Sequence, residues 1–201
     1  QIKLDFGYQK FNCNLISVGS SFDYVKLGCS HHSYIDVALI ASIEHSKVFI
    51  PGSKNEFDTL FTDNYQSSGV KYFRLTENGH GFGGLTNDAV AGKNIVVRQG
   101  TELTIVTLGP SLRTAMAVSD MLEKDGISVE VIYVHSFKPF DANSILESVS
   151  KTGALVSISQ LSTVGGLGSL CVDAIAGKVL FNYLNFEVEK FVRGYGELGD
   201  L

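Results

Sequence analysis

Short apolar runs bounded by glycine, proline and small polar residues recur along the chain, and between them apolar residues return every three or four positions. That alternation predicts strand–helix–strand units and mostly parallel sheets. Residues 12–18 (N-C-N-L-I-S-V), 47–50 (K-V-F-I) and 70–75 (V-K-Y-F-R-L) predict three short strands, and residues 19–27 a loop. In residues 28–43, Tyr34, Val37, Ala38, Ala41 and, less regularly, Ile40 fall on one helical face. Ser33 is the expected N-cap there, and Asp36 lies in the first turn, where a carboxylate meets the positive end of the helix dipole. Ser53 with Glu56 three positions later is a capping-box signature for a helix over 54–64.

The second half repeats the theme. Residues 103–108 predict a buried strand, and Gly109-Pro110-Ser111 opens a helix that carries Leu112, Ala115, Met116, Ser119 and Leu122 inward and ends at Gly126. Residues 127–134 predict a strand and 135–140 a turn, after which Asp141 caps a helix through Val149. A strand at 154–158, a helix over 170–183 and a strand at 186–192 complete the pattern. The expected class is α/β, two small three-layer units with mostly parallel sheets: residues 1–78, a linker at 79–92, and residues 93–201.

Composition narrows the function. A chain of 201 residues with 44% hydrophobic content can bury a real core, and a net charge of −5 without a basic face argues against nucleic acid. Cys13, Cys29 and Cys171 are odd in number and far apart, which reads as reduced intracellular thiols. With no apolar run of about 18 residues and no basic start followed by an apolar core, the expectation is a cytoplasmic protein without membrane contact. The chain starts at Gln1, and residues 1–10 read as the end of a helix already under way, so a fragment is expected.

The candidate chemistry is sparse. His31 and His32 stand at a helix entrance, where free N–H groups favour anions and an imidazole can move a proton near neutrality; on the residues alone, a capping histidine beside a solvated one is the preferred account of the pair. Gly79–Gly84 (G-H-G-F-G-G) fits G-x-G-x-x-G, but no helical face follows in residues 85–92, so it reads as a flexible linker. Gly165–Ser169 is either an anion-binding nest or a tight strand-to-helix turn, and the turn is preferred. There is no metal-ligand spacing, paired catalytic carboxylates or nucleophile elbow.

Two stretches carry a resemblance. Residues 28–43 (G-C-S-H-H-S-Y-I-D-V-A-L-I-A-S-I) resemble the G-x-T-H-x-x-x-x-D-x-A segment in the pyrimidine-binding domain of transketolase-like thiamine-diphosphate enzymes. Residues 93–171 resemble the transketolase C-terminal domain, through V-V-R-Q-G-T-E-L-T-I-V-T-L-G-P-S at 96–111, F-K-P-F-D at 137–141 and V-G-G-L-G-S at 164–169; Tyr72-Phe73-Arg74-Leu75 is similar to the family's y-x-R-L strand. The resemblance implies that His31 lines the substrate channel and that Arg74 clamps a substrate phosphate, a contact that suits an arginine fork. Leu27 stands where many relatives have an acid, which departs from their hydroxyl recognition. The family's catalytic glutamate, aromatic platform and diphosphate–metal domain are expected before Gln1. The implied function is the C-terminal portion of an enzyme moving a two-carbon ketol unit between sugar phosphates, as a homodimer or with an N-terminal subunit. Thiamine diphosphate and Mg would bind the complete enzyme and not tightly to this chain alone. A deoxyxylulose-phosphate synthase, a 2-oxoacid dehydrogenase beta subunit and a noncatalytic dimerisation module are the alternatives.

Overall fold

The computed structural model describes residues 1–84 and 88–196. In chain order its strands are β1 (Cys13–Ser17), β2 (Ser46–Phe49), β3 (Val70–Arg74), β4 (Ile95–Arg98), β5 (Leu103–Leu108), β6 (Val129–Val134), β7 (Ser136–Lys138), β8 (Ala154–Ser162) and β9 (Asn182–Val188). The helices are α1 (Asp36–Ala41), α2 (Lys54–Asn64), α3 (Leu112–Lys124), α4 (Ala142–Thr152) and α5 (Leu167–Ile175). They form two mostly parallel sheets with helices, ordered β1-β3-β2-β7 and β4-β6-β5-β8-β9.

β3 is buried at every position, as a central parallel strand covered on both faces must be, whereas edge strand β1 alternates half-buried and exposed. On one face Phe49 stacks on Phe73 above Leu60 of α2. On the other, Val48, Ile50 and Tyr72 meet Val37 and Ile40 of α1, and that cluster runs on without a break into Val106, Val134, Ile145 and Leu161 of the second sheet. α3 covers one face of the second sheet, over Ile105, Val129 and Val131; α4 and α5 pack together on the other. Among the described residues no helix is long and apolar enough to cross a membrane.

Several boundaries differ from the pattern reading, each for a tertiary reason. Ser33 is not the N-cap of α1. Its backbone exchanges both hydrogen bonds with Ser21, at 3.0 and 2.9 Å, and the helix begins only at Asp36 with Ile35 in the cap position. Residues 135–140 are more than a turn, because β7 leaves the second half and pairs antiparallel with β2, Val48 opposite Lys138. Lys138 Nζ then donates to the carbonyls of Ala41 and Ile43, placing a cation at the negative end of α1. β7 thus crosses the division proposed at residues 79–92. β4, unseen in the sequence, adds an antiparallel edge to β6. The last helix stops at Ile175 and not at 183: Ala176 turns extended, Gly177 takes φ +74°, and the apolar residues from Asn182 onward are recruited beside β8.

No helix opens at Gly79–Gly84, but this part of the linker is packed down, with His80 1% exposed. Ala89 is buried against Phe49 and Leu60. Of the stretch read as short and polar, Leu85–Asn87 fall outside the described residues.

Candidate functional site

The carboxyl end of the first sheet carries the histidine loop. The Ser21–Ser33 backbone pair closes its neck, and Arg74, the last residue of β3, lies inside that neck with its side chain 2% exposed. Its Nε donates to Asp36 Oδ2 at 2.7 Å, and its Nη2 donates to Ser21 Oγ at 2.9 Å and to the Ser33 carbonyl at 2.5 Å. Tyr72, two residues earlier and so on the same side of β3, donates to the same Asp36 oxygen at 2.6 Å. Burial and the Asp36 carboxylate together hold the Tyr72 hydroxyl far above its ordinary pKa. The neck is also tied to the second sheet: Ser21 Oγ donates to the Gln160 carbonyl at 2.8 Å and the Ser162 N–H to the Tyr34 carbonyl at 2.9 Å.

This geometry gives Arg74 partners within the protein beside the role expected of it. The resemblance makes it a phosphate clamp, but its guanidinium is buried and two of its three nitrogens are spent on the loop and on Asp36. Those bonds tie the neck of the histidine loop to the end of β3. Asp36 likewise serves Arg74 and Tyr72 more than the helix dipole. His31 is exposed, its Nδ1 2.9 Å from Ser30 Oγ and its ring edge-on to Tyr24 at 6.5 Å. His32 packs edge-on against Phe22 at 5.1 Å, and both its ring nitrogens are buried without a hydrogen-bond partner. Arg74 and His31 therefore meet at one loop, two residues apart through the Ser33 carbonyl, but only His31 is open to a ligand.

Phe22 and Tyr24 also line a cleft of about 380 Å³ between the two sheets, with Leu27, Asn78, Pro110 and Gln160 among its other walls. Asp23 pins this wall in place, accepting from the N–H groups of Ser20 and Glu77 and from Thr76 Oγ1.

A second polar cluster, which the sequence showed only as a capping box, is buried where α2, the linker and β6 meet. Ser53 Oγ accepts the Glu56 N–H as expected. The Glu56 side chain, however, turns inward. Oε2 accepts from Gly52 N–H at 2.7 Å and Tyr133 OH at 2.6 Å, and Oε1 accepts from His80 Nε2 at 2.6 Å and Ser53 Oγ at 3.2 Å. The Phe82 N–H donates to His80 Nδ1 at 2.9 Å, so Nε2 carries the proton. Burial first, then Glu56, pushes the Tyr133 hydroxyl well up. Glu56, His80 and Tyr133 are all 0–1% exposed. Their place is structural, tying the linker to both sheets.

The glycine run before α5 is a tight turn that is already filled. A Cβ on Gly168 would lie 1.9 Å from Tyr183 OH, and Glu187 Oε1 accepts from the Gly168 N–H at 3.0 Å and from Ser159 Oγ at 2.8 Å. Burial raises the Glu187 carboxyl above its ordinary 4.5 in spite of those bonds. An acid raised on folding favours the native state while it is protonated; that stabilisation is complete below 4.5 and is lost as pH rises through the higher native value. Glu187→Gln keeps an acceptor for Gly168 and Ser159; its new amide nitrogen takes the place of the oxygen that accepts from Asn185 Nδ2, and a turned-over Asn185 amide meets it with Oδ1, which is buried and unpartnered. Urea midpoints of wild type and variant should diverge in favour of Glu187→Gln as pH rises from 4.5 toward neutrality; identical pH slopes would refute the account.

Two mostly parallel α/β units carry a clamped histidine loop and a cleft at the carboxyl ends of their strands, where open sheets of this class gather their ligands. Residues 92–193, half of the chain, match the family described as the transketolase C-terminal domain, and the chain belongs to that family. It is 29% identical over 176 residues to the 6-deoxy-6-sulfo-D-fructose transketolase subunit of Clostridium sp. (strain MSTE9), covering 87% of this chain and 55% of that one. It is 32% identical over 162 residues to the pyruvate dehydrogenase E1 component subunit beta of Rickettsia bellii, covering 79% and 47%. A split gene transketolase, solved as an inactive beta4 tetramer, superposes with a TM-score of 0.84 at 26% identity over 94% of this chain and 61% of that one. The chain thus spans about half the length of the relatives it matches.

Proposed function

We propose that this chain is the pyrimidine-binding and C-terminal portion of a transketolase-like enzyme that moves a two-carbon ketol unit between sugar phosphates and is completed by a diphosphate-binding segment or subunit. The observation that carries the reading is the similarity to a transketolase subunit over 87% of the chain, in which His31 falls on an exposed loop held at its neck by Arg74 and Asp36. Thiamine diphosphate, when bound, supplies the nucleophilic carbon and the electron sink. The chain's own residues orient the substrate: His31 meets the sugar, while Arg74, Asp36 and Ser21 fix the loop that presents it. Among the described residues no group of three His, Cys, Asp or Glu side chains gathers as a metal site. As the resemblance implies, we assign the diphosphate and its Mg to the completing part, and read the assembly as a homodimer or a complex of unlike subunits.

The test is reconstitution. Mixed with its diphosphate-binding part, thiamine diphosphate and Mg, the chain should transfer a ketol unit from a ketose phosphate to an aldose phosphate, and alone it should show no micromolar thiamine diphosphate binding by calorimetry. The similarity to a pyruvate dehydrogenase beta subunit favours a second reading, in which the donor is a 2-oxoacid. Turnover of a 2-oxoacid but not of a ketose phosphate would replace the first reading by the second, and micromolar cofactor binding by the chain alone would overturn both.

A further inference from the structure

We infer that Tyr24 is a positioning residue for His31, its ring holding the imidazole in one orientation toward the substrate; the inference rests on the reading of His31 given above. The two arms of the histidine loop face each other in register. Outward from the Ser21–Ser33 backbone pair, Phe22 meets His32 with ring centroids 5.1 Å apart, and Tyr24 meets His31 at 6.5 Å with the ring planes at 84°. The adjacent histidines thereby differ: His32 has both ring nitrogens buried, whereas His31 is exposed. An exposed imidazole on a loop samples several rotamers, and every rotamer that misses the substrate lowers the productive fraction. Two contacts restrict His31. Ser30 Oγ lies 2.9 Å from Nδ1, which leaves Nε2 without a hydrogen bond among the described residues, and the Tyr24 ring bounds the imidazole on one side.

Tyr24 can serve as a fixed wall because it is itself seated. Gly19, just beyond the end of β1, has φ +80°, and a Cβ there would lie 2.2 Å from Tyr24 Cε2, so the phenol ring rests directly on backbone. Successive turns then bring His31 back to that ring: the Tyr24 carbonyl accepts from the Leu27 N–H at 2.9 Å, and the Gly28 carbonyl accepts from the His31 N–H at 2.9 Å. The Glu77 carboxylate interacts with the Tyr24 hydroxyl, but Glu77 is exposed, and a polar contact that water can replace adds little. The ring does the positioning and the hydroxyl is secondary.

The test separates this role from that of His31 itself. NMR on the full chain alone should show an Overhauser contact between the Tyr24 and His31 ring protons. The His31 ring protons should move toward the shifts of free histidine in Tyr24→Leu and keep their places in Tyr24→Phe. In the reconstituted enzyme Tyr24→Leu should lower kcat about ten- to a hundredfold with little change in KM, and Tyr24→Phe should restore it. In a His31→Ala background Tyr24→Leu should cost nothing further, because its effect passes through the imidazole. Should Tyr24→Leu fold poorly, the ring contact in the wild-type chain still decides. Absence of that contact, additive losses in the double variant, or a Tyr24→Phe as slow as Tyr24→Leu would each overturn the inference while His31 keeps its role. Unchanged kcat in His31→Ala would overturn the reading of His31, and the positioning role with it.

Discussion

Glu56→Ala should lower the unfolding free energy of the chain by about 3–5 kcal/mol, the range found when one member of a buried charged network is removed. The carboxylate receives two donors on each oxygen, from Gly52, Tyr133, His80 and Ser53. Deleting it strands a phenol O–H and an imidazole N–H in a region closed to water, leaving the Gly52 N–H only its 3.0 Å bond to the Tyr133 oxygen, and each unsatisfied group costs about 1–3 kcal/mol. Glu56→Gln is the sharper probe. Whichever oxygen becomes the amide nitrogen then points a donor at an N–H, that of Gly52 or of His80, and at a hydroxyl that must turn round to accept, so an isosteric change that preserves packing should still cost a large share of the loss. Because the three elements tied together are α2, the linker and β6, the damage should extend beyond local fraying: His80, Ala89 and Tyr133 should lose hydrogen-exchange protection together. Urea denaturation gives the energy. A loss under about 1 kcal/mol for Glu56→Ala would mean that water or rearrangement satisfies the stranded donors and that the network does not hold the sheets together.

In the reconstituted enzyme, His31→Ala is expected to reduce kcat by about 10²–10⁴-fold, the range for a lost general acid or base, with a much smaller change in KM. Its imidazole is exposed and, among the described residues, hydrogen-bonds only to the neighbouring Ser30, so the substitution should leave the stability of the chain within about 0.5 kcal/mol of wild type. Arg74→Ala should behave in the opposite way. A ligand clamp would raise KM and leave stability alone, whereas removing the buried guanidinium seen here leaves the Asp36 carboxylate without its counter-charge, held only by the Tyr72 hydroxyl, so stability should fall and kcat with it. Unchanged kcat in His31→Ala would remove this residue from the chemistry. A pure KM effect in Arg74→Ala, at unchanged stability, would restore the phosphate clamp.

Local chemistry in the sequence determined much of the architecture. Alternating strand and helix patterns gave the α/β class, and the capping serine and aspartate at Ser53 and Asp141 placed the starts of α2 and α4, because a cap is written in residues next to the helix it starts. The order of motifs carried the transketolase resemblance, which the family match over residues 92–193 then established. Partners distant in sequence were decided only by the fold. β7 and β4 are strands because β2 and β6 have open edges for them, and the apolar residues after Gly177 became β9 because β8 offered a ladder where a continued helix would have had no neighbour to cover. Tyr72 and Arg74 show the same divide at the site. Their period-two spacing puts both on one side of β3, but nothing in the chain order says that Asp36 would meet them there and draw the arginine into the neck of the histidine loop. Glu56 is the plainest case: its spacing from Ser53 predicted a cap, and a local rule cannot see that His80 and Tyr133, 24 and 77 positions away, would supply donors that make burial of its charge tolerable.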